Sequence, residues 1–229
     1  YQADRVITWV RDKNYWIVID GIKTLRSDWF TFTNLWHTRQ ILSQEGQTFD
    51  TFYDQIQTDK LPDTKALLIH FPENTFGKQI GTFKETRHFQ DEVGMYQTQS
   101  SFYKTGDTEY FVTILIPHNK GEDARKMLAN FRLLDTGKSG QAVALEINEG
   151  ATKSMLCVKL DLDMDLAREN IRPRYQYNLG KVKYGDFETD AGFLFARIAN
   201  GQVAYSATTM TKILYRNQVL LEALPNTFG

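Results

Sequence analysis

Cysteine is almost absent from this chain. Cys157 stands alone among 229 residues, so no intrachain disulfide can staple the fold. It lies in the apolar run Met155-Leu156-Cys157-Val158-Lys159-Leu160 and reads as a small buried hydrophobe rather than a nucleophile. No uninterrupted apolar run approaches about 18 residues, so no membrane span is expected. Basic charge is not in surplus: 27 Lys and Arg stand against 28 Asp and Glu, a net charge of −1. That argues against a domain that grips nucleic acid through its phosphates. The sequence lacks an Asn-x-Ser/Thr acceptor, which disfavours a eukaryotic secreted glycoprotein. The histidines, His37, His70, His88 and His118, have neither the short pairing of a zinc site nor a cysteine cluster beside them, and no metal or other cofactor is expected. Neither a repeat nor a low-complexity tract is present. The chain opens on Tyr1-Gln2-Ala3-Asp4 with no initiator Met or signal peptide, and reads as part of a longer or processed product.

What the chain does have is aromatic bulk, with 15 Phe, 11 Tyr and 4 Trp, enough for a sizeable core. The dominant pattern is period two. In residues 27–37, Phe30, Phe32 and Trp36 fall on one face of a strand, while Trp29, Thr31, Thr33, Leu35 and His37 fall on the other. Residues 15–20 are apolar on both faces until Asp20, as in a central strand covered on each side. Residues 110–116 repeat that pattern and are expected to stop at Pro117. Further strands are expected at 3–10, 66–71, 79–89, 93–103, 141–149, 153–161, 174–186, 192–199, 202–210 and 212–222. Short polar breaks separate them. Asn200-Gly201 is the clearest, because a type I′ hairpin needs positive φ at both central residues. Only residues 121–134 break the pattern: Ala124, Met127, Leu128 and Phe131 recur at helical spacing behind Glu122 and Asp123. Residues 53–65 read as a polar surface loop. The predicted fold class is all-β: a large two-layer antiparallel β-sandwich, supersandwich-like, with one short helix. A single domain is expected over 1–229.

Several motifs invite chemistry and do not carry it. Thr136-Gly137-Lys138-Ser139 ends like a phosphate-binding loop, but Arg132 stands where the first glycine belongs, so a β-turn is expected. Asp161, Asp163 and Asp165 alternate like a calcium loop, but Leu166 replaces its glycine and Arg172 its bidentate Glu, which leaves a solvated acidic edge. No serine is marked as a nucleophile. The segment with most promise is 29–39, where Trp29, Trp36, His37 and Arg39 bring flat faces and hydrogen-bond donors together. Sugar rings stack on aromatic faces, and arginine grips carboxylate or sulfate bidentately. These four are the candidate substrate-binding residues, weighed against tryptophans that simply fill the core. No residue is assigned as catalytic.

Asp4-Arg5-Val6-Ile7-Thr8-Trp9, then Tyr15-Trp16-Ile17-Val18-Ile19-Asp20, then Phe32 through Trp36-His37 resemble the C-terminal region of the heparinase II/III-like polysaccharide lyases. There, an Arg strand is followed by a strand ending in Asp and another closing on His. Tyr110 through Pro117 is similar to a later strand of that family, and Thr189-Asp190 through Leu221 resembles its closing hairpins. The resemblance implies a periplasmic or secreted bacterial module of an enzyme that cleaves acidic polysaccharides, glycosaminoglycans among them, by β-elimination. It also implies an N-terminal helical toroid outside this chain. The family's catalytic Asn and Tyr, and its His-x-His-x-Asp element, lie ahead of the matched region, so no catalytic role is carried over. Arg5, Asp20 and His37 match the pattern and are assigned structural roles. The alternative is a stand-alone carbohydrate-binding module on the aromatic and basic platform. A third reading is a lyase or isomerase site around Arg172, Arg174, Tyr175 and Tyr177.

Overall fold

The computed structural model describes residues 1–52, 65–72, 78–87, 90–119, 121–138, 140–165 and 174–223. The expected loop at 53–65 falls almost wholly outside them, as do His88 and Arg172. The protein is all-β, built from several packed antiparallel sheets, with one short helix among the described residues. Among the described residues, no helix is long and apolar enough to cross a membrane. The chain divides into two compact units, Tyr1–Ala129 and Asn130–Gly229.

In the first unit, β1 (Gln2–Val10) and β2 (Tyr15–Lys23) form a hairpin whose loop closes with Asn14 at φ 54°. β3 (Asp28–Thr38), β4 (Gln40–Glu45), β5 (Thr48–Phe52), β6 (Lys65–His70), β7 (Gln79–Arg87), β8 (Gln90–Tyr103) and β9 (Thr108–Asn119) follow. One sheet runs β1-β2-β9-β6-β5-β4 and the other β3-β8-β7. Alternation decides which side chains meet between them. Phe32, Tyr103 and Phe111 form one buried cluster, and Phe49, Ile69, Phe71 and Met95 form another. Among the outward residues of β3, the hydroxyls of Thr31 and Ser100 lie 2.7 Å apart and those of Thr33 and Thr98 3.0 Å apart, as cross-strand pairs. β2 and β9 bury residues of both parities, Ile17, Val18 and Ile19 in one and Phe111 and Val112 in the other, as expected for central strands.

Two expectations change here. β9 does not stop at Pro117 but runs on to Asn119. Its pairing with β2 ends at Trp16↔Leu115, so at Pro117 only β6 is a neighbour, and a missing N–H is tolerated at such an edge position. The β4–β5 hairpin was not expected, because the exposed residues of β4 blur the alternation; Gly46, at φ +53°, turns it.

The helix is a 3₁₀ segment, Ala124–Asn130, shorter than the helical spacing suggested. Phe131 leaves it to begin β10 (Phe131–Leu134), where it pairs with Ile147. A short connector of this kind favours the tighter helix.

β10 opens the second unit. β11 (Ala142–Glu149), β12 (Thr152–Lys159), β13 (Leu162–Asp165), β14 (Arg174–Tyr177), β15 (Val182–Tyr184), β16 (Phe187–Thr189), β17 (Phe193–Ala199), β18 (Gln202–Thr208), β19 (Lys212–Tyr215) and β20 (Gln218–Glu222) complete it. A five-stranded sheet, β10-β11-β12-β17-β18, and a four-stranded sheet, β15-β16-β19-β20, share a core that includes Met155, Cys157, Tyr184, Phe187, Leu194 and Ile213. Cys157 is fully buried, and burial pushes its thiol pKa up, as an inert core residue requires. The β17–β18 turn has Asn200 at φ 51° and Gly201 at φ 76°, the positive values expected there. Thr136 to Lys138 forms a bend pinned by the Asp135 carboxylate, which accepts from the Gly137 N–H at 2.8 Å.

Asp161 departs from the expected solvated edge: it is 4% exposed and accepts from the Leu179 N–H. Beside it the Lys159 amine, also buried, donates to the carbonyls of Leu179 and Asp190, each at 2.7 Å.

Candidate functional site

β1 and β3 are edge strands of the two sheets of the first unit. Between them lies a cleft of about 820 Å³, lined by Arg5, Asp20, Arg26, Phe30, Phe32 and Asn34 among others. The β1–β2 register builds one wall. Arg5 faces Asp20 and Trp9 faces Trp16, so these four side chains share one face of the hairpin. Arg5 Nε donates to Asp20 Oδ1 at 2.5 Å and Nη2 to Oδ2 at 3.1 Å. Its guanidinium also lies 5.7 Å from the centre of the Trp36 ring. Farther along, Trp9 and Trp16 stack with centroids 5.4 Å apart and planes 6° from parallel, and Arg11 sits 5.1 Å over Trp9. Trp9 keeps 49% of its surface open.

β3 supplies the opposite wall. Phe30 and Phe32 stack at 5.4 Å, and Arg26 lies 5.7 Å over the Phe30 ring. Asn34 is 5% exposed; its Nδ2 donates to Thr113 Oγ1 at 3.0 Å. Its Oδ1 is buried and has no hydrogen-bond partner among the described residues. A buried acceptor left unpaired costs about 1–3 kcal/mol, and the residue that carries it lines the cleft.

The four residues singled out in 29–39 do not form one platform. Trp36 points inward, packs against the Phe49 and Phe71 cluster, and donates from Nε1 to Thr113 Oγ1 at 3.1 Å. Trp29 points outward, 73% exposed, with its ring 6.1 Å from that of Phe102. His37 is on the same outward face as Trp29 but eight residues along β3, about 26 Å away. Its Nδ1 is 3.1 Å from Glu85 Oε1 and 3.6 Å from Glu92 Oε2. Arg39 lies just past the strand and donates to the Asp91 carbonyl at 3.3 Å. Of the residues in the third reading, Tyr177 packs its ring against Gly192, with the Lys159 amine 6.0 Å from the ring centre.

Trp9, Trp16 and Arg5 were not among the expected binding residues, yet a signal was present. A four-residue loop at 11–14 pairs residues whose numbers sum to 25, which sets Trp9 against Trp16 and Arg5 against Asp20.

Neither a family model, a curated protein nor a solved structure matches the chain.

Proposed function

We propose that the chain is the non-catalytic C-terminal β-sandwich of a heparinase II/III-like polysaccharide lyase, and that the cleft between β1 and β3 holds part of the acidic glycan. The observation that carries this reading is the composition of the cleft. Flat aromatic faces, two guanidinium groups and an unpartnered buried acceptor at Asn34 line one hollow. Sugars need flat apolar faces for their C–H surfaces and hydrogen bonds for their hydroxyls, while a uronate carboxylate or a sulfate needs a fork of N–H donors. Arg5 and Arg26 are already paired with Asp20 and Asp28. An acidic group would therefore take the remaining N–H donors of either arginine, and recognition would rest on shape and hydrogen bonding more than on a positive field. The elimination chemistry itself belongs to the helical toroid. A periplasmic or secreted bacterial setting follows from a polysaccharide substrate.

Titration with heparin, chondroitin or alginate fragments, followed by tryptophan emission, tests this. Saturable quenching is expected, with no unsaturated product absorbance from this chain alone. Arg5→Ala should weaken binding about tenfold or more, the loss of a charge-assisted hydrogen bond, while Trp29→Ala should leave it unchanged. The opposite result would move the platform to the exposed Trp29–Phe102 pair, the feature that favours a stand-alone carbohydrate-binding module. Absence of binding to every acidic glycan would leave only a scaffold role.

A further inference from the structure

His37, Glu85 and Glu92 come from three neighbouring strands, β3, β7 and β8. Glu85 and Glu92 are direct cross-strand partners, and His37 is opposite Gly94, two residues further along β8. Two carboxylates facing each other across a strand pair repel. This arrangement therefore needs a positive charge nearby. One ligand atom from each of the three residues lies within 4.8 Å of the others. His37 Nδ1 is buried and makes no hydrogen bond among the described residues, although two carboxylate oxygens are 3.1 and 3.6 Å from it.

We propose that these three side chains bind one divalent first-row transition-metal ion, of the Zn²⁺ or Mn²⁺ class. Geometry carries this. Nitrogen and oxygen ligands about 2.0–2.2 Å from a tetrahedral ion stand about 3.3–3.6 Å from each other, and the two N···O separations bracket that range. One imidazole with two carboxylates suits a borderline ion, where an all-oxygen set would suit Mg²⁺ or Ca²⁺. Three protein ligands leave at least one coordination position for water or an outside ligand. The surroundings hold the imidazole in place. Phe83 lies over Gly94, where a Cβ would come within 2.1 Å of its ring, and it meets the His37 ring edge-on at 6.0 Å. Of the flanking cations, which border the same hollow as Glu85 and Glu92, Arg39 donates to the Asp91 carbonyl and Lys84 alternates to the other side of β7 from Glu85. Among the described residues, neither is paired with the two carboxylates. The site is independent of the cleft between β1 and β3.

Calorimetric titration of the chelator-treated protein with Zn²⁺ and with Mn²⁺, alongside thermal melts, decides the matter. The protein is expected to bind one equivalent, with a melting temperature about 5–10 °C higher at a free metal concentration 100 times Kd. His37→Gln and Glu85→Gln should each weaken binding about 100-fold or more, and Mg²⁺ at the same concentration should leave the melt unchanged. Glu85→Gln is isosteric and partly exposed, so its folding is not in question. The proposal fails if the unaltered protein takes up no metal, if either variant binds as tightly, or if Mg²⁺ shifts the melt as far as Zn²⁺.

Discussion

Glu109→Ala is expected to lower the unfolding free energy by about 3–5 kcal/mol, the range found when one partner of a buried ion pair is removed. Glu109 is the second residue of β9, and its Oε1 lies 2.8 Å from the amine of Lys78, whose side chain is only 3% exposed. The same carboxylate accepts from the Tyr110 N–H at 2.9 Å and the Tyr103 hydroxyl at 3.2 Å. The amine also sits 5.0 Å over Tyr110 and 5.1 Å over Phe111, and cation–π attraction of about 1–2 kcal/mol cannot replace a full counter-charge. Burial holds the Lys78 pKa below its usual value, and Glu109 opposes that by favouring the charged form. Without Glu109 the pKa falls further. A lysine depressed in the folded state binds fewer protons than the unfolded chain until pH reaches its unfolded pKa, so stability rises with pH over that interval. The deficit of the variant should therefore shrink, in chemical denaturation, as pH rises toward the unfolded lysine value of about 10.4. Lys78→Met combined with Glu109→Leu should recover most of the loss, because an apolar pair needs no compensation. A Glu109→Ala protein within 1 kcal/mol of the original, a threshold well under the about 3 kcal/mol minimum, would mean that the Lys78 amine reaches water.

The second large effect is acid lability from His70. It ends β6, pairs with Thr48 and Ile114, and its Nδ1 lies 2.9 Å from Thr48 Oγ1. Burial holds its pKa down to about 4, from 6.5 in the unfolded chain. As pH falls below 6.5 the unfolded chain takes up a proton that the folded one refuses. Stability is thus fully present above the unfolded pKa and is lost progressively until pH nears 4. At about 1.4 kcal/mol per pH unit, the loss from this residue approaches about 3 kcal/mol. Urea denaturation at pH 7 and pH 4.5 should show a smaller acid loss in His70→Gln than in the unaltered protein, and equal losses in both would assign the lability to carboxylates instead.

Much of the fold was legible because its dominant signal is local. Phe30, Phe32 and Trp36 alternate with Thr31, Thr33 and Leu35, and the structure buries or half-buries the first set and turns the second outward. Asn200-Gly201 announced its turn through backbone preference alone. Signals failed where neighbours decide the outcome. Pro117 is tolerated because β2 has already ended there, and Phe131 becomes a strand residue because Ile147 is opposite it. The site was less legible for the same reason. Trp29 and Trp36 are close in number but odd and even in a strand, so they face opposite ways. Of the candidate metal ligands, Glu85 and Glu92 are seven residues apart on consecutive strands, but His37 is distant in number and comes beside them only through the β3–β8 pairing, which no spacing rule reaches.

All the tryptophans, Trp9, Trp16, Trp29 and Trp36, belong to the first compact unit, and Asn130–Gly229 has none. Indole emission is thus a private channel onto half of the polypeptide. A denaturation curve read by that emission follows Tyr1–Ala129 alone, while far-ultraviolet dichroism averages over both halves. Two coincident curves would mean that the halves melt together. Curves that separate would order the two events without any label or cleavage.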